Sequence, residues 1–516
     1  MKSALSRGIL VLHRYTGVLV GVLMTVWCLS GFVMMYQEMP GVTEEEALAS
    51  LAPVDLSAPL ALDALPFADT DEIGGFRIDM LEGRPVLRLG GGRGGRGGGR
   101  RGGGGPAGNF DLISGTELAE LTPQQLADVA RRFAAAKGIT PAAELRPVLM
   151  QEQDQWTLQA FRSAQPLYRV DLGDAADTVV YVSAASGSVA MDTNRNERIL
   201  AWLGAIPHWL YPTVLRQDGE LWSQIVIWTS VIGTFLTITG LYVGIGRISR
   251  RKGRISPYKG LWYWHHMVGL VFGILTMTWV FSGLMTMSPW GLLEGPPNSY
   301  RQDIAGKATW ADVRGFIEQA GHQGLPDGTA QLRPAVLGGR LHVLAHAPAA
   351  DPLRLGADAR PAPLQRAEVD AALANALGSM PRGETELFTG EDAYHYGFKD
   401  RQAQPAYRVM LQDDQQTRIY LNAATGEVGR VVDDAARQSR WLRNGLHSLD
   451  FIPGRPLWDV ITIVLLIGVT LVCATGAWMS FRRVGRDVKM LRRRLRRKLS
   501  GDPPRRAPVA RPEQQA

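Results

Sequence analysis

Two histidines, His13 and His265, each begin an apolar segment, and the two segments match at an offset of 252 residues. The first segment reads LHRYTGVLVGVLMTVWCLSGF and the second reads WHHMVGLVFGILTMTWVFSGL. Each histidine is followed four and eight positions later by a glycine: Gly17 and Gly21, then Gly269 and Gly273. On a helix these positions share one face, so each imidazole stands beside a strip without side chains. The pattern predicts a groove for a flat, bulky ring, as in one wall of a haem pocket.

A second pair of histidines, His208 and His447, lies 239 residues apart in the segments AWLGAIPHWLYP and RWLRNGLHSLDFIP. A single histidine at a helix end is more often a plain polar residue than a ligand. Four histidines at positions related by a repeat instead favour two pairs of axial haem ligands. Two imidazoles saturate the iron, which suits electron transfer rather than oxygen binding.

Four segments are apolar and long enough to cross a bilayer, which takes about 20 residues. They cover residues 9–36, 221–245, 261–287 and 457–481. The first segment is too long for a signal peptide and lacks an Ala-x-Ala cleavage site, so we expect it to remain as an anchor.

Lysines and arginines are concentrated on three short flanks: before the first segment, between the second and third, and after the fourth. These flanks fall on one side of the membrane, and an excess of Lys and Arg marks the cytoplasmic side. Both termini are therefore expected in the cytoplasm, and the stretches 37–220 and 288–456 outside it. The net charge of +7 reflects this asymmetry, and the basic tail suits anionic lipid head groups better than nucleic acid.

The predicted topology decides which histidines can meet. His13 and His265 begin outward-running helices near the cytoplasmic face, whereas His208 and His447 precede inward-running helices near the outer face. Each pair is expected to ligate one haem, and two b-type haems follow because no C-x-x-C-H motif is present. His266 is the alternative to His265, but adjacent residues point about 100° apart on a helix and the repeat selects His265.

The long stretches also contain a repeat, in which LYRVDLGDAADTVVYVSAASGSV matches AYRVMLQDDQQTRIYLNAATGEV at an offset of 239. Alternating apolar residues around a short polar turn predict a β-hairpin in each copy. Upstream, residues 121–136 have helical spacing, with Thr122 as N-cap and Pro123 as the first helical residue. We therefore expect an internally duplicated α-helical membrane protein with four transmembrane helices and two extracytoplasmic α+β domains.

The predicted division of the chain is transmembrane helix 1 at 1–36, an α+β domain at 37–200, a histidine segment with transmembrane helix 2 at 201–246, a cytoplasmic loop at 247–260, transmembrane helix 3 at 261–288, an α+β domain at 289–440, a histidine segment with transmembrane helix 4 at 441–481, and a basic cytoplasmic tail at 482–516. The Gly/Arg insert at 90–108 is expected to be a mobile cationic loop, either a tolerated linker or an arm for an acidic partner.

The remaining candidate residues carry weaker signals. His342 and His346 would share one face of a strand, for which a solvated strand is favoured over a metal site. The only cysteines, Cys28 and Cys473, lie within apolar segments and are expected to be buried apolar residues. Interfacial aromatic residues are expected to be mainly membrane anchors: Trp202, Trp209, Tyr211, Trp222, Trp262, Trp264, Trp290 and Trp458. No nucleotide, flavin or hydrolytic motif is present, so electrons must come from a partner or through a membrane pocket for quinol.

The His-x-x-x-Gly segments at His13 and His265, with the hairpins at 168–187 and 407–426, resemble the PepSY-associated transmembrane family of bacterial inner-membrane proteins. The resemblance covers most of the chain, except the Gly/Arg insert and the basic tail. It implies four spans with periplasmic PepSY-like domains, and haem-ligand roles for His13, His265, His208 and His447. Members of this family include di-haem reductases of ferric siderophores and haem subunits fused to flavin reductase modules. Since no flavin module is present here, a cytoplasmic flavin reductase or a quinol is the expected electron donor.

The sequence thus favours an inner-membrane di-haem b protein that passes electrons outward. A periplasmic ferric siderophore, or another iron substrate, is the acceptor implied by the resemblance alone. The alternative is a membrane-anchored PepSY sensor or a protease- or peptide-binding protein without redox activity. A transporter is disfavoured because no acidic residue or broken helix interrupts the spans.

Overall fold

The computed structural model describes residues 4–90, 107–249, 255–399 and 402–499. Nearly all of the Gly/Arg insert, part of the predicted cytoplasmic loop and the end of the basic tail lie outside these residues, and so do the predictions made for them. The chain divides into two compact units. We call residues 1–32, 225–284 and 461–516 the helical unit, and residues 33–224 and 285–460 the sheet unit.

The α-helices of the described residues, numbered along the chain, are α1 Ala4–Met34, α2 Glu44–Ala49, α3 Pro123–Ala136, α4 Arg195–Leu203, α5 Ala205–His208, α6 Thr213–Arg216, α7 Gly219–Ile245, α8 Leu261–Thr286, α9 Tyr300–Ala305, α10 Trp310–Gln323, α11 Arg366–Leu377, α12 Asp434–Ser439, α13 Leu446–Ser448 and α14 Arg455–Leu499. A π-helix covers Arg440–Gly445 between α12 and α13.

Among the described residues, four helices are long and apolar enough to cross a membrane, namely α1, α7, α8 and α14. They begin and end within five residues of the predicted segments at every boundary except one. The exception is α14, which continues 18 residues beyond the predicted end at position 481. Residues 482–499 contain no Pro and one Gly, and Arg and Lys are good helix formers. The first part of the predicted tail is therefore helical.

The helical unit is held together by apolar side chains from α1, α7 and α14. Val20 and Met24 of α1 form one buried cluster with Leu236 of α7 and Val469 of α14. Small residues bring α1 close to α14, since a Cβ atom built on Gly21 would lie 3.2 Å from the Cβ of Ala477. Close approach at small residues is the usual way in which helices associate in a membrane.

The strands are β1 Glu72–Ile73, β2 Phe76–Leu81, β3 Arg84–Leu89, β4 Gly108–Asp111, β5 Thr116–Glu117, β6 Val148–Leu149, β7 Leu167–Asp171, β8 Val179–Ser183, β9 Val189–Thr193, β10 Ala308–Thr309, β11 Gln331–Leu337, β12 Arg340–His346, β13 Leu353–Leu355, β14 Glu386–Phe388, β15 Ala406–Met410, β16 Arg418–Asn422 and β17 Val428–Val432. They form sheets in the orders β13-β12-β11-β2-β3-β4-β5, β6-β7-β8-β9, β14-β15-β16-β17 and β1-β10.

The two predicted hairpins are confirmed. β7 pairs antiparallel with β8, and β15 pairs antiparallel with β16. In both sheets the register shifts after a tyrosine, Tyr181 or Tyr420, and each of these hydroxyls donates a hydrogen bond to an aspartate. The predicted start of α3 is also confirmed, because Thr122 caps the helix in a capping box and Pro123 opens it.

One sheet runs through both long stretches of the chain, which the sequence did not predict. β2 of the first stretch pairs with β11 of the second, with Gln331 opposite Asp79. One face of this sheet is apolar and packs on Trp310 and Phe316 of α10. The other face buries charge, and here Arg88 donates two hydrogen bonds to Asp79 Oδ1, at 2.9 and 2.7 Å. The two long stretches therefore share a sheet rather than forming fully separate domains.

Candidate functional site

His13 lies on α1 with its ring against α7. Its Nδ1 atom is 3.1 Å from the carbonyl oxygen of Leu236 and 3.4 Å from Oγ1 of Thr239. The ring lies over Gly240, where a Cβ atom would come within 2.7 Å of its Cε1 atom. Only a glycine at position 240 leaves room for the imidazole in this place.

His265 on α8 has the same arrangement against α14. Its Nδ1 atom is 3.0 Å from Oγ1 of Thr475, and a Cβ atom on Gly476 would lie 2.9 Å from its Cε1 atom. No hydrogen bond to Nε2 of His13 or of His265 is found among the described residues. An Nδ1–H hydrogen bond fixes the tautomer and leaves Nε2 as the ligand atom, which is how ligating histidines are usually held.

His266, the alternative to His265, has both ring nitrogens engaged. Nδ1 is 2.9 Å from Oγ of Ser256, and Nε2 is 2.8 Å from the carbonyl oxygen of Gly244. The ring is buried and stands edge-on to Tyr258. These contacts tie the loop between α7 and α8 to the start of α8, and they favour a structural role for His266.

The glycines of the predicted haem groove are in different surroundings. A Cβ atom on Gly17 would lie 2.8 Å from Oγ of Ser480, and one on Gly273 would lie 2.6 Å from Cδ2 of Leu241. Gly21 is similarly close to Ala477, whereas nothing lies within 4 Å of a Cβ atom on Gly269. Helix–helix contact is therefore favoured as the role of Gly17, Gly21 and Gly273. The predicted haem groove stays a prediction, and of these four glycines only Gly269 has open space beside it.

The structure brings His208 and His447 together in the sheet unit although they are far apart in the sequence. Their ring centres are 6.2 Å apart and the ring planes are inclined at 64°. Metal–imidazole bonds are about 2 Å long and a ring nitrogen lies about 1 Å from the ring centre, so two imidazoles on opposite sides of one metal ion have their centres about 6 Å apart. The separation of the two rings thus fits a bis-histidine haem.

Short helices hold both of these histidines. His208 is the last residue of α5, which follows Gly204, and His447 lies in α13 directly after the π-helix. π-Helical turns are rare and often occur at functional sites. A π-helical turn has no clear pattern in the sequence. The repeat therefore pointed to the two histidines but not to the helices that hold them.

A buried ion pair lies close to His447 in the sequence. Nη1 of Arg440, the first residue of the π-helix, donates to Asp450 at 2.7 Å, and the hydroxyl of Tyr396 donates to the same carboxylate at 2.7 Å. Burial and this hydrogen bond raise the pKa of Tyr396. The cluster ties the two ends of the His447 segment together, since Arg440 precedes the histidine and Asp450 follows it.

His342 and His346 are on β12 as predicted, but the expectation of a solvated strand was wrong. Their side chains are only 13 and 12 % exposed, because the polar face of the shared sheet is covered. Their nearest acids are Glu368 at 3.7 Å and Glu44 at 3.8 Å. No group of three or more metal-binding side chains was found among the described residues.

Two tryptophans that were expected to be membrane anchors have specific partners in the sheet unit. The indole nitrogen of Trp222 donates to the carbonyl of Trp209, and that of Trp458 donates to the carbonyl of Ser448. Trp458 is 5 % exposed, so anchoring in the membrane interface is not its main role. The sequence feature that could have indicated these hydrogen bonds is that each tryptophan is the fourth residue of its long helix, α7 or α14.

Comparison with known proteins identifies one family. No curated protein matches the chain. The model of one family, described as the PepSY-associated TM region, matches residues 10–337, which include α1, α7 and α8 and much of the sheet unit. This match covers more than half of the chain, and the protein is therefore a member of the PepSY-associated transmembrane family.

Proposed function

We propose that this protein is a di-haem b electron-transfer protein of the bacterial inner membrane. The observation that carries the proposal is the 6.2 Å separation of the His208 and His447 rings, which suits two axial ligands of one haem. These histidines lie in two separate segments, and each has the same position before a membrane-spanning helix.

His13 and His265 would hold the second haem. Both imidazoles use Nδ1 for a hydrogen bond to a neighbouring helix. This hydrogen bond orients the ring and leaves Nε2 as the atom that would bind the haem iron. When bound, a bis-histidine haem supplies reversible one-electron transfer. The protein's own part is to fix the imidazoles and to surround them with apolar side chains that exclude water.

The direction of electron flow follows from the predicted topology. His13 and His265 belong to the cytoplasmic half of their spans, and His208 and His447 to the opposite side. We propose a cytoplasmic flavin reductase or a quinol as donor, and a ferric siderophore or another iron substrate in the periplasm as acceptor. The choice of acceptor rests on the family resemblance, and a ferrous-iron assay with reduced protein and ferric siderophores tests it separately.

The first experiment is an optical spectrum of the protein purified from haem-replete cells. We expect two haems per chain, low-spin in both oxidation states and reducible by dithionite. A haem-free protein would contradict the proposal, and the 6.2 Å separation would then be an ordinary edge-to-face contact between rings. In that case the alternative, a PepSY sensor or peptide-binding protein, would be the better explanation.

Single histidine variants test the pairing. His208→Ala or His447→Ala should remove one haem, and His13→Ala or His265→Ala should remove the other, so the haem content falls from about two to about one. His266→Ala is the matched control for His265→Ala and should keep both haems. Removal of a haem by His266→Ala, or loss of the same haem from all four ligand variants, would contradict the assignment.

A further inference from the structure

A tryptophan is hydrogen-bonded to the backbone beside each histidine of the His208–His447 pair. Nε1 of Trp222 donates to the carbonyl oxygen of Trp209 at 2.9 Å, and Nε1 of Trp458 donates to that of Ser448 at 2.7 Å. In both cases the acceptor is the residue directly after the histidine. Each tryptophan is the fourth residue of the helix that follows, α7 or α14.

The residue after each acceptor has an unusual backbone conformation. Leu210 has φ +49° and Leu449 has φ +51°, in the left-handed region. A residue with a side chain pays about 1–2 kcal/mol for this conformation. The reversal ends the short helix that carries the histidine and turns the preceding carbonyl away from the helix. The indole N–H can reach that carbonyl because of this turn.

A cation lies over each indole and restricts its movement. The guanidinium carbon of Arg216 is 4.6 Å from the ring centre of Trp222, and Nζ of Lys399 is 5.2 Å from the ring centre of Trp458. Such contacts contribute about 0.5–1 kcal/mol at exposed sites and more where water is excluded. An indole, a cation and a left-handed leucine thus occur together near both histidines.

Both histidines lie at the end of a helical segment. α5 has four residues, and α13 is the last turn of a continuous helical run that begins with α12 and passes through the π-helix. The last carbonyl groups of a helix have no partner within the helix and need one from outside. The tryptophan hydrogen bond connects each of these segments to a long helix. The tryptophan follows the histidine by 14 residues in one segment and by 11 in the other. The offset of 239 that aligns the two histidines therefore does not align the two tryptophans.

We propose that Trp222 and Trp458 are positioning residues for His208 and His447. Each indole N–H fixes the backbone directly after the histidine and so sets the direction in which the imidazole points. This inference rests on the proposed function, because the orientation of the imidazoles matters through the haem that they would hold.

The variants Trp222→Phe and Trp458→Phe remove the N–H donor and keep an aromatic ring. We expect one of the two haems to be lost to an excess of apomyoglobin about two- to tenfold faster, the effect of one hydrogen bond. The low-spin electron paramagnetic resonance signal of the same haem should shift, since it depends on the angle between the two imidazole planes. The other haem should be lost at an unchanged rate. A general loss of protein stability would instead speed the loss of both haems.

Trp202→Phe and Trp441→Phe are the matched controls, because both side chains are exposed and lie in the same two segments. They should leave the rate of haem loss and the spectrum unchanged. Trp458 is buried, and if Trp458→Phe does not fold, the half-buried Trp222 gives the same test. Rates and spectra equal to those of the unmodified protein in the folded Trp→Phe variants would overturn the inference.

A measurement without haem separates the inference from the proposed function. In a background of Cys28→Ser and Cys473→Ser, a short bis-maleimide reagent should join the two thiols introduced by His208→Cys and His447→Cys. Adding Trp222→Phe or Trp458→Phe should slow this reaction severalfold. A haem-free unmodified protein together with slower cross-linking would overturn the proposed function and keep the positioning role. An unchanged cross-linking rate would overturn the positioning role.

Discussion

Each of the two histidines in the helical unit is oriented by a Thr-Gly pair on a neighbouring membrane-spanning helix. Thr239 and Gly240 on α7 receive His13, and Thr475 and Gly476 on α14 receive His265. The hydroxyl or a backbone carbonyl takes the Nδ1 hydrogen bond, and the glycine leaves space for the ring. Both parts are needed, because a side chain in place of the glycine would push the ring away from the helix and break the hydrogen bond.

Gly240→Ala should therefore disturb the haem that His13 would ligate. A Cβ atom 2.7 Å from Cε1 of His13 is well inside the normal contact distance of about 3.5 Å, so the ring must move. Overpacking of this kind typically costs about 1–3 kcal/mol, while the helix itself gains from alanine. We expect the haem content to fall from about two towards one, with unchanged yield of folded protein.

Gly269→Ala is the control for this substitution, since nothing lies within 4 Å of the added atom. It should keep both haems if the groove at Gly269 is not used, and lose one if the ring packs there. Full haem content and an unshifted spectrum in Gly240→Ala would show that the ring of His13 is not held at this place.

The residues of the candidate site could be predicted from the sequence only where a repeat marked them. The four histidines stand out because each has a partner at a fixed offset. Gly240 and Gly476 are 236 positions apart and do not match at either offset of the repeat, and a Thr-Gly pair within an apolar span is a common pattern that pointed to nothing by itself. Their importance depends on which helices are neighbours, and that is decided by packing.

At the scale of the helices, α1 and α14 are in close contact through small residues. Gly17 and Gly21 of α1 face Ser480 and Ala477 of α14. The same pair of helices brings the two cysteines of the chain together, with 4.0 Å between the Sγ atoms of Cys28 and Cys473. The sequence predicted two buried thiols but not that they meet, because the residues are 445 positions apart.

The two cysteines allow a direct test of this packing. A disulfide has an S–S distance of about 2.05 Å, so the thiols must approach by about 2 Å, which side-chain rotation and small helix movements can supply. We expect copper phenanthroline to join positions 28 and 473 in isolated membranes. Alkylation with a maleimide polymer should then modify no thiols, and two after reduction. Cys28→Ser should abolish the protection, and free thiols in the oxidised protein would contradict the packing of α1 on α14.

On the scale of the whole molecule, the spans and hairpins were predictable and the shared sheet was not. The spans follow from composition, and the hairpins follow from alternation within some twenty residues. The pairing of β2 with β11 joins residues about 250 positions apart, and no local pattern records it. The buried Asp79–Arg88 pair lies at this junction, beside Gln331. A domain boundary drawn from the repeat alone therefore misses this link between the two long stretches.

The polar face of the shared sheet predicts sensitivity to acid. Burial, together with the nearby Arg333, lowers the pKa of His346 to about 4. In the unfolded chain this histidine has its ordinary value near 6.5, so below that pH the unfolded state binds a proton that the folded state excludes. Stability is thus lost as the pH falls from about 6.5 to about 4, by at most about 3 kcal/mol for this residue.

His346→Gln should remove part of this loss, because glutamine does not titrate. We expect the midpoint of thermal unfolding of the sheet unit to decrease less between pH 7 and pH 4.5 in the variant than in the unmodified protein. The comparison at pH 7 gives the cost of the substitution itself. His322→Gln, at an exposed position of α10, is the control and should keep the full decrease. An equal decrease in His346→Gln would show that protonation of His346 does not lower the stability of the sheet unit in this pH range, and would contradict the prediction.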